Sequence, residues 1–291
     1  MSERILKALM QLFAIIARPE SSEKDRRNVV EAFLRRQLNE ELVKEYLGTF
    51  DQYYREAREK QKKSAHKKRQ SAISVRILKI TNQINDQLTQ NQKIVVLVQL
   101  LEFCKSDGTE VTNEELEFVR AVAESFYLEK SEFELLLPFV LNDYSEIPDS
   151  NNVLVIDNKE NGYGQYTHHI INETINGQIW VLEVSSANMY FIRFTNMTEL
   201  YMNGQLVQED KVYPFNPGSS LRDPKTTPIY YSDIVSRFRR EELEASRVVY
   251  EVRDIEYSFK TGDVGINKMS FEEESGRLVG IMGASGAGKS T

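Results

Sequence analysis

The sequence lacks several features that would define its class directly. It contains one cysteine, Cys104, so the chain cannot form an internal disulfide, and we expect a reducing compartment. No apolar run reaches the roughly 18 residues that a membrane-spanning helix needs. Positive charge is not in excess, because the formal net charge is −7. This balance argues against a chain whose general role is to bind nucleic acid.

The composition nevertheless predicts a folded protein. Hydrophobic residues make up 41% of the chain and charged residues 28%, and 291 residues are enough for two or three domains. Residues 8–17 follow two basic residues, as the core of a secretion signal does. Gln11 interrupts this run and no cleavage site follows it, so we predict a buried amphipathic helix instead. The expected fold class is multi-domain α plus β.

Residues 1–145 are predicted to form a helical domain. Apolar residues from Ile5 to Ile16 recur at helical spacing, and Pro19 ends that helix. Ser21 or Ser22 can cap a second helix, and a third begins near Asn39. Further helices are predicted over residues 72–88, 91–105, 113–125 and 130–141.

A basic segment, residues 55–69, follows the third predicted helix. It contains eight lysine or arginine residues against Glu56 and Glu59. We interpret it as a solvated helix end and hinge, with contact to anionic lipid headgroups as the alternative.

The helical domain contains a weak internal repeat. Residues 9–13 match residues 97–101, and the helices that follow keep a similar order. Each half would need the other to bury its apolar face. This repeat, together with residues 100–115 and the helix after them, resembles the TerB-like helical domain of tellurite-resistance proteins.

An acidic turn occurs in the second half of the repeat. In the TerB-like family a turn of this kind is linked to divalent metal, and here Asp107, Glu110, Glu114 and Glu115 could supply oxygens. Their spacing is not that of an EF-hand loop. Thr112 and Glu115 have the spacing of a capping box, so we predict a solvated turn that leads into a capped helix.

Residues 150–233 are predicted to form a small β-sandwich. Two Asn-Gly pairs, Asn176-Gly177 and Asn203-Gly204, are typical of tight hairpin turns. Short runs rich in β-branched and aromatic residues predict the strands. These runs are residues 153–156, 178–184, 189–194, 199–202, 211–215, 219–222 and 228–231.

The stretch 199–207, followed by residues 212–221, is similar to the end of a forkhead-associated (FHA) domain. Such domains bind phosphothreonine peptides through an arginine and a serine on earlier loops. Here Arg193 lies inside a predicted strand, and the pair Ser185-Ser186 lacks the histidine that usually follows. The resemblance therefore implies a degenerate FHA-like scaffold that docks on another domain.

His168 and His169 are adjacent in the same β region. On a strand they would face opposite sides of the sheet. This placement argues against a metal site formed by the pair.

Residues 248–291 begin with three predicted strands, at 248–259, 266–271 and 278–282, after a helical linker at residues 234–247. The last strand enters a sequence that fits G-x-x-x-x-G-K-[ST], the phosphate-binding loop of nucleotide triphosphatases. The candidate nucleotide-binding residues are Gly283, Ala284, Ser285, Gly286, Ala287, Gly288, Lys289, Ser290 and Thr291.

The chemistry of this loop depends on its residue types. The glycines allow backbone N–H groups to approach phosphate oxygens closely. Lys289 is expected to contact the β- and γ-phosphates, Ser290 to bind Mg²⁺, and Thr291 to begin a helix whose N-terminus favours an anion. The expected cofactors are therefore ATP and Mg²⁺.

Residues 248–291 closely resemble the start of an ATP-binding-cassette (ABC) domain. In that family an aromatic residue about 25 positions before the loop stacks on adenine, which favours Phe259 over Tyr257. The resemblance implies two partners, a transmembrane permease domain and a second nucleotide-binding domain. It also implies a cytoplasmic protein at the inner face of the cell membrane.

The sequence ends at the Walker A motif, so we expect it to be the N-terminal portion of a longer ABC transporter ATPase. The Walker B carboxylates, the signature motif and the switch histidine are missing, and this chain alone is not expected to hydrolyse ATP. The TerB-like and FHA-like domains are expected to regulate the parent or to dock a protein partner. The alternatives are a non-catalytic binding or scaffolding module and a different class of P-loop NTPase.

Overall fold

The computed structural model divides the chain into two compact units, residues 1–232 and 233–291. It describes residues 3–16, 23–35, 38–62, 66–105, 111–141, 144–160, 162–209, 211–224, 227–245, 248–275, 279–280 and 282–283.

The first unit begins with seven helices, in agreement with the apolar periodicity of the sequence. They are α1 Glu3–Ile16, α2 Glu23–Arg35, α3 Glu40–Lys62, α4 His66–Gln87, α5 Gln90–Lys105, α6 Asn113–Ser125 and α7 Lys130–Leu141. α4 begins six residues before the predicted start at Ala72, because its first turns are basic and carry no apolar repeat. The predicted stop and caps at Pro19, Ser21 and Ser22 lie outside the described residues.

The centre of the helical part lies between α1 and α5. Leu9, Leu12 and Phe13 of α1 are completely buried. The Phe13 ring stacks on that of Phe103 in α5 at 4.0 Å and meets the edge of Phe33 in α2 at 5.2 Å. The helices α1 and α5, which contain the two matching segments, thus pack against each other.

Nine strands follow the helices and form two sheets. They are β1 Val153–Asp157, β2 His168–Ile171, β3 Gln178–Val184, β4 Met189–Thr195, β5 Leu200–Met202, β6 Gln205–Val207, β7 Tyr213–Phe215, β8 Ser220–Arg222 and β9 Ile229–Tyr230. One sheet has the order β2-β1-β3-β4-β7 and the other has the order β6-β5-β8-β9. All the pairs are antiparallel except β1 with β2.

One predicted hairpin turn is confirmed and the other is wrong. Asn203-Gly204 joins β5 to β6 with both residues in the left-handed region, at φ 54° and 79°. Asn176-Gly177 instead lies between β2 and β3, which both pair with β1 and not with each other. The sequence prediction missed β2 altogether, because its parallel partner is distant in sequence and no adjacent turn indicates it.

The larger sheet packs against the helices in one continuous core. Val155, Trp180 and Phe191 belong to the same buried cluster as Phe13 and Phe139. The described part of the first unit is therefore a single packed body, although its helices and strands occupy separate stretches of sequence.

The second unit contains most of helix α8 (Tyr231–Ala245) and a hairpin of β10 (Val249–Ser258) and β11 (Val264–Glu274). The predicted helical linker and the first two predicted strands are thus present. The third predicted strand is not seen where the chain is described, since Val279, Gly280 and Met282 lie outside any strand. A strand requires backbone partners, and no described residue pairs with these three.

No helix in the described ranges is long and apolar enough to span a bilayer.

Candidate functional site

The predicted phosphate-binding loop is described only at its first residue, Gly283. The candidate residues Ala284, Ser285, Gly286, Ala287, Gly288, Lys289, Ser290 and Thr291 lie outside the described residues. Their contacts with ATP, and that of Ser290 with Mg²⁺, stay predictions.

The candidate adenine-stacking residue, Phe259, lies at the turn between β10 and β11. Its backbone N–H donates to the carbonyl of Asp263 at 2.8 Å, and its own carbonyl accepts from Gly262 at 2.9 Å. The rings of Phe259 and Tyr257 meet edge to face at 5.1 Å. Both side chains are nearly half exposed, and the stacking of either ring on adenine stays a prediction.

The β10–β11 hairpin exposes apolar side chains along both strands. A hairpin of two strands cannot bury such residues by itself and is marginally stable in water. The exposed set is Val249, Tyr250, Ile255, Tyr257, Phe259, Val264, Met269 and Phe271.

Arg193 has a structural role in the described β part. Its side chain is 2% exposed, and Nη1 donates to the carbonyl of Phe139 in α7 at 3.0 Å. The guanidinium also lies 4.3 Å from the ring centre of Tyr144. Arg193 is thus held in the core against the helices.

Of the pair Ser185-Ser186, one serine contacts a helix and the other contacts the β part. The backbone N–H and the hydroxyl of Ser186 donate to the carboxylate of Glu132 in α7 at 2.7 and 2.6 Å. Ser185 Oγ accepts from the side chain of Asn152 at 2.7 Å. Ser186 thus joins the β part to α7.

Three consecutive backbone N–H groups in the loop before β2 bind the carboxylate of Asp149. Asp149 accepts hydrogen bonds from the backbone N–H groups of Gln165, Tyr166 and Thr167, at 2.7 to 3.1 Å, and from the Thr167 hydroxyl at 2.8 Å. These donors, the Thr167 hydroxyl foremost, hold the pKa of Asp149 below its usual value. A Cβ at Gly164 would meet the Asp149 carboxylate at 2.2 Å, so this close approach requires glycine.

The acidic turn is part of a helix cap where the structure describes it. Thr112 accepts from the backbone N–H of Glu115 at 3.3 Å, and the Glu115 carboxylate accepts from the Thr112 N–H at 2.8 Å. This reciprocal pair is the predicted capping box. Asp107 and Glu110 lie outside the described residues, and within the described ranges no cluster of three metal-ligating side chains occurs.

A buried polar network that sequence reasoning missed surrounds Asp157 at the end of β1. The fully buried carboxylate accepts from His169 Nε2 at 2.9 Å and from the Lys159 backbone N–H at 3.0 Å. It also accepts a short hydrogen bond from the Tyr163 hydroxyl and a longer one, 3.3 Å, from the Gln178 amide. Both carboxylate oxygens are therefore satisfied within the protein.

The network changes the titration of its members. Burial alone would raise the pKa of Asp157, but the four donors together lower it below its usual value. Burial and the adjacent Asp157 carboxylate raise the pKa of the Tyr163 hydroxyl. Asp157 is therefore ionised and Tyr163 neutral, which lets Tyr163 donate and Asp157 accept.

The arrangement is structural, because it fastens the edge strand β2 and the loop before it to the sheet. His169 is in β2, and Tyr163 is in that loop. His169 contacts Asp157 through Nε2 at 2.9 Å, and the absence of a metal site at His168 and His169 stays a prediction. A signal that could have indicated the network is an aspartate closing a fully apolar strand, which must find donors if it is buried.

We expect Asp157→Asn to lower the free energy of unfolding by about 2 kcal/mol at neutral pH, because the amide cannot satisfy the same donors. The pKa of Asp157 is lower in the folded than in the unfolded protein, so its contribution is present above about pH 4 and is lost as the pH falls below it. Urea unfolding followed by the fluorescence of Trp180, the only tryptophan, measures both effects.

Asp86→Asn, on the exposed side of α4, is the control for loss of one negative charge. The difference in stability between wild type and Asp157→Asn should shrink between pH 5 and pH 3, a range set by the usual carboxyl pKa of about 4. A difference that stays constant across this range would show that the ionised carboxylate is not what stabilises the network.

The helical part of the chain matches a known protein family. Residues 7–137 match the model of the family described as tellurite resistance protein TerB. Residues 7–137 are a TerB domain. The match lies within the predicted helical domain 1–145 and includes α2 to α6 entirely. Residues outside this range are not covered by the match.

One curated relative matches a short part of the chain. It is the energy-coupling factor transporter ATP-binding protein EcfA of Methanococcus maripaludis, 44% identical over 43 residues. The match covers 15% of this chain and 16% of the relative. The chain thus spans about one sixth of the length of this relative, and no solved structure matches.

Proposed function

We propose that this chain is the front part of an ABC-type ATPase, in which the TerB domain and an FHA-like β domain precede the nucleotide-binding domain. The observation that carries the proposal is the 44% identity over 43 residues to a transporter ATP-binding protein. The motif at residues 283–291 supports it, because its glycines, lysine and hydroxyl residues suit a triphosphate and its magnesium ion.

The proposed site uses residues from two places in the second unit. The N–H groups of residues 283–288 bind the phosphates, Lys289 neutralises the β- and γ-phosphates, and Ser290 binds Mg²⁺. The exposed ring of Phe259, or that of Tyr257 beside it, stacks on adenine. The uncovered hairpin supports this proposal, since the remainder of a nucleotide-binding domain would bury its apolar side chains.

The role proposed for the first unit is to regulate the ATPase or dock it to a protein partner. The side chains that could have bound a phosphopeptide join the sheet to the helices instead. In the parent we propose transport across a membrane through a permease domain and a second nucleotide-binding domain. A purely scaffolding role is the second candidate. It is favoured by Ser186 and Arg193, because both already bond to helix α7.

A chain extended through a complete nucleotide-binding domain tests the proposal. We expect it to hydrolyse ATP in the presence of Mg²⁺, at the rate of about one to a thousand turnovers per second that is usual for enzymes. An extended chain that neither binds nor hydrolyses ATP would exclude the ABC proposal. One that hydrolyses ATP but lacks a Leu-Ser-Gly-Gly-like signature would belong to another P-loop class.

A further inference from the structure

A surface groove of about 420 Å³ lies between α4 and α6 of the TerB domain. It is open to solvent, because two of its lining residues, Leu78 and Tyr127, are 54% and 76% exposed. Exposed apolar side chains that line one concavity are typical of a surface that binds a partner. The lining residues of this α4–α6 groove are Ile77, Leu78, Asn82, Ala121, Glu124, Ser125 and Tyr127.

Tyr127 occupies a backbone position that tyrosine rarely adopts. It directly follows Phe126, the C-cap of α6, and its φ of 58° is in the left-handed region. The N–H of Leu128 donates to the carbonyl of Ala123 at 3.1 Å. The N–H of Tyr127 donates to the carbonyl of Glu124 at 3.0 Å. These two hydrogen bonds form a Schellman motif, which usually has glycine at this position because a side chain is unfavourable there.

Packing within the chain does not offset this unfavourable conformation. The Tyr127 side chain is exposed, and its ring lies 5.9 Å from the ammonium of Lys93, which orients it. Cation–π contacts at exposed sites contribute little to stability. A tyrosine at the position of a glycine, with its ring left on the surface, is therefore better explained by a contact with another molecule.

The helix faces that line the groove are acidic. Glu124 is one of the lining residues and is exposed. Glu117 is four residues before Ala121 on α6, and Asp86 is four residues after Asn82 on α4. Residues four positions apart share a helix face, so these two exposed carboxylates extend the lining of the groove.

Two basic residues occur in the same stretches of α4 and α6. The guanidinium of Arg120 lies 5.4 Å from the ring centre of Phe133, so it is directed towards α7. Lys79 is exposed and leaves a surplus of two negative charges against the three carboxylates. This surplus favours a positively charged partner. It opposes nucleic acid, an anionic lipid surface and the same face of a second copy of the chain.

We propose that the α4–α6 groove binds an amphipathic helix of a partner protein, with aliphatic residues on one face and lysine or arginine beside them. An amphipathic helix that lays its apolar face into a hydrophobic groove is a common mode of recognition. Leu78, Ala121 and the Tyr127 ring contact the aliphatic residues, and the carboxylates of Glu117 and Glu124 pair with the basic ones. The inference gives a surface and a partner to the docking role proposed for the first unit, and it rests on that role.

The test uses the 291-residue chain without nucleotide, so a negative result would leave the ATPase proposal unaffected. Two fluorescent helical peptides of about 15 residues have leucine at helical spacing and either lysine or glutamate at all other positions. Fluorescence anisotropy should show that the lysine peptide binds at least about tenfold more tightly, because like charges oppose the other peptide. Equal binding of the two peptides, or no binding of the lysine peptide, would overturn the inference.

Matched variants test whether the peptide lies in the groove. Leu78→Ser and Glu124→Lys should each weaken binding of the lysine peptide by about tenfold, through a lost apolar contact and a reversed charge. Leu42→Ser and Glu45→Lys change the same residue types at exposed positions of α3 and should bind as wild type does. An equal loss in these controls would mean that only overall charge and apolar surface matter, which contradicts a site between α4 and α6.

Tyr127→Gly separates binding from folding. Glycine suits the left-handed position, so the midpoint of urea unfolding should stay the same or rise, while binding of the lysine peptide falls by about tenfold. A lower midpoint would show that the tyrosine serves the fold, and unchanged binding would remove it from the site. Sedimentation of the wild-type chain as a dimer that Leu78→Ser dissociates would make a second copy the occupant and would also overturn the inference.

Discussion

Lys289→Ala in a chain with a complete nucleotide-binding domain is expected to reduce the rate of ATP hydrolysis on the order of a hundredfold or more. The charge that builds on the phosphates in the transition state needs a positively charged group at a fixed position, and alanine supplies none. Lys289→Arg should also fail, because a planar guanidinium does not occupy the place of a compact ammonium. Phosphate release at saturating ATP and Mg²⁺ measures both variants.

Another lysine of the second unit, Lys268, provides a control for Lys289→Ala. Lys268 is on β11 with its side chain 62% exposed, 3.4 Å from Asp254, and it belongs to no proposed nucleotide contact. Lys268→Ala should therefore leave hydrolysis unchanged. If Lys289→Ala kept a tenth or more of the wild-type rate, the motif at residues 283–291 would not be a working phosphate-binding loop.

The sequence predicted the helices of the first unit well because each is specified locally. Apolar residues at helical spacing and the capping box of Thr112 and Glu115 are signals within a few residues of each other. The signal for β3 is also local, because the strand is a run of seven consecutive residues, Gln178 to Val184, rich in β-branched and aromatic side chains. By contrast, β2 depends on a parallel partner elsewhere in the chain, and its four residues carry no alternation that would predict a strand.

The contacts that join sheet and helices could not be predicted, because their partners are far apart in sequence. Glu132 meets Ser186 and Phe139 meets Arg193, each across 54 positions. A buried arginine within an apolar strand was the one signal available. From this arginine the sequence predicts that a phosphopeptide site is absent, and that stays a prediction. The signal did not indicate what the arginine contacts.

Arg193→Ala is expected to have the largest effect on stability and should lower the free energy of unfolding by about 3 kcal/mol. The carbonyl of Phe139 would lose its donor at 3.0 Å, and the ring of Tyr144 would lose the guanidinium stacked over it at 4.3 Å. Each loss costs about 1 to 2 kcal/mol, and the space left by the buried side chain adds to both. Arg222→Ala, on the exposed side of β8, is the control and should change stability by less than about 0.5 kcal/mol.

Two probes together test whether Arg193 joins helix α7 to the sheet or only supports the sheet. Trp180 reports on the sheet, where it contacts the rings of Tyr144 and Tyr163, and far-ultraviolet circular dichroism reports mainly on α1 to α7. Because one core contains residues of both parts, the two urea transitions should coincide in wild type and shift together in Arg193→Ala. If the fluorescence transition moved alone, the sheet would unfold independently of the helices, and Arg193 would stabilise only the sheet.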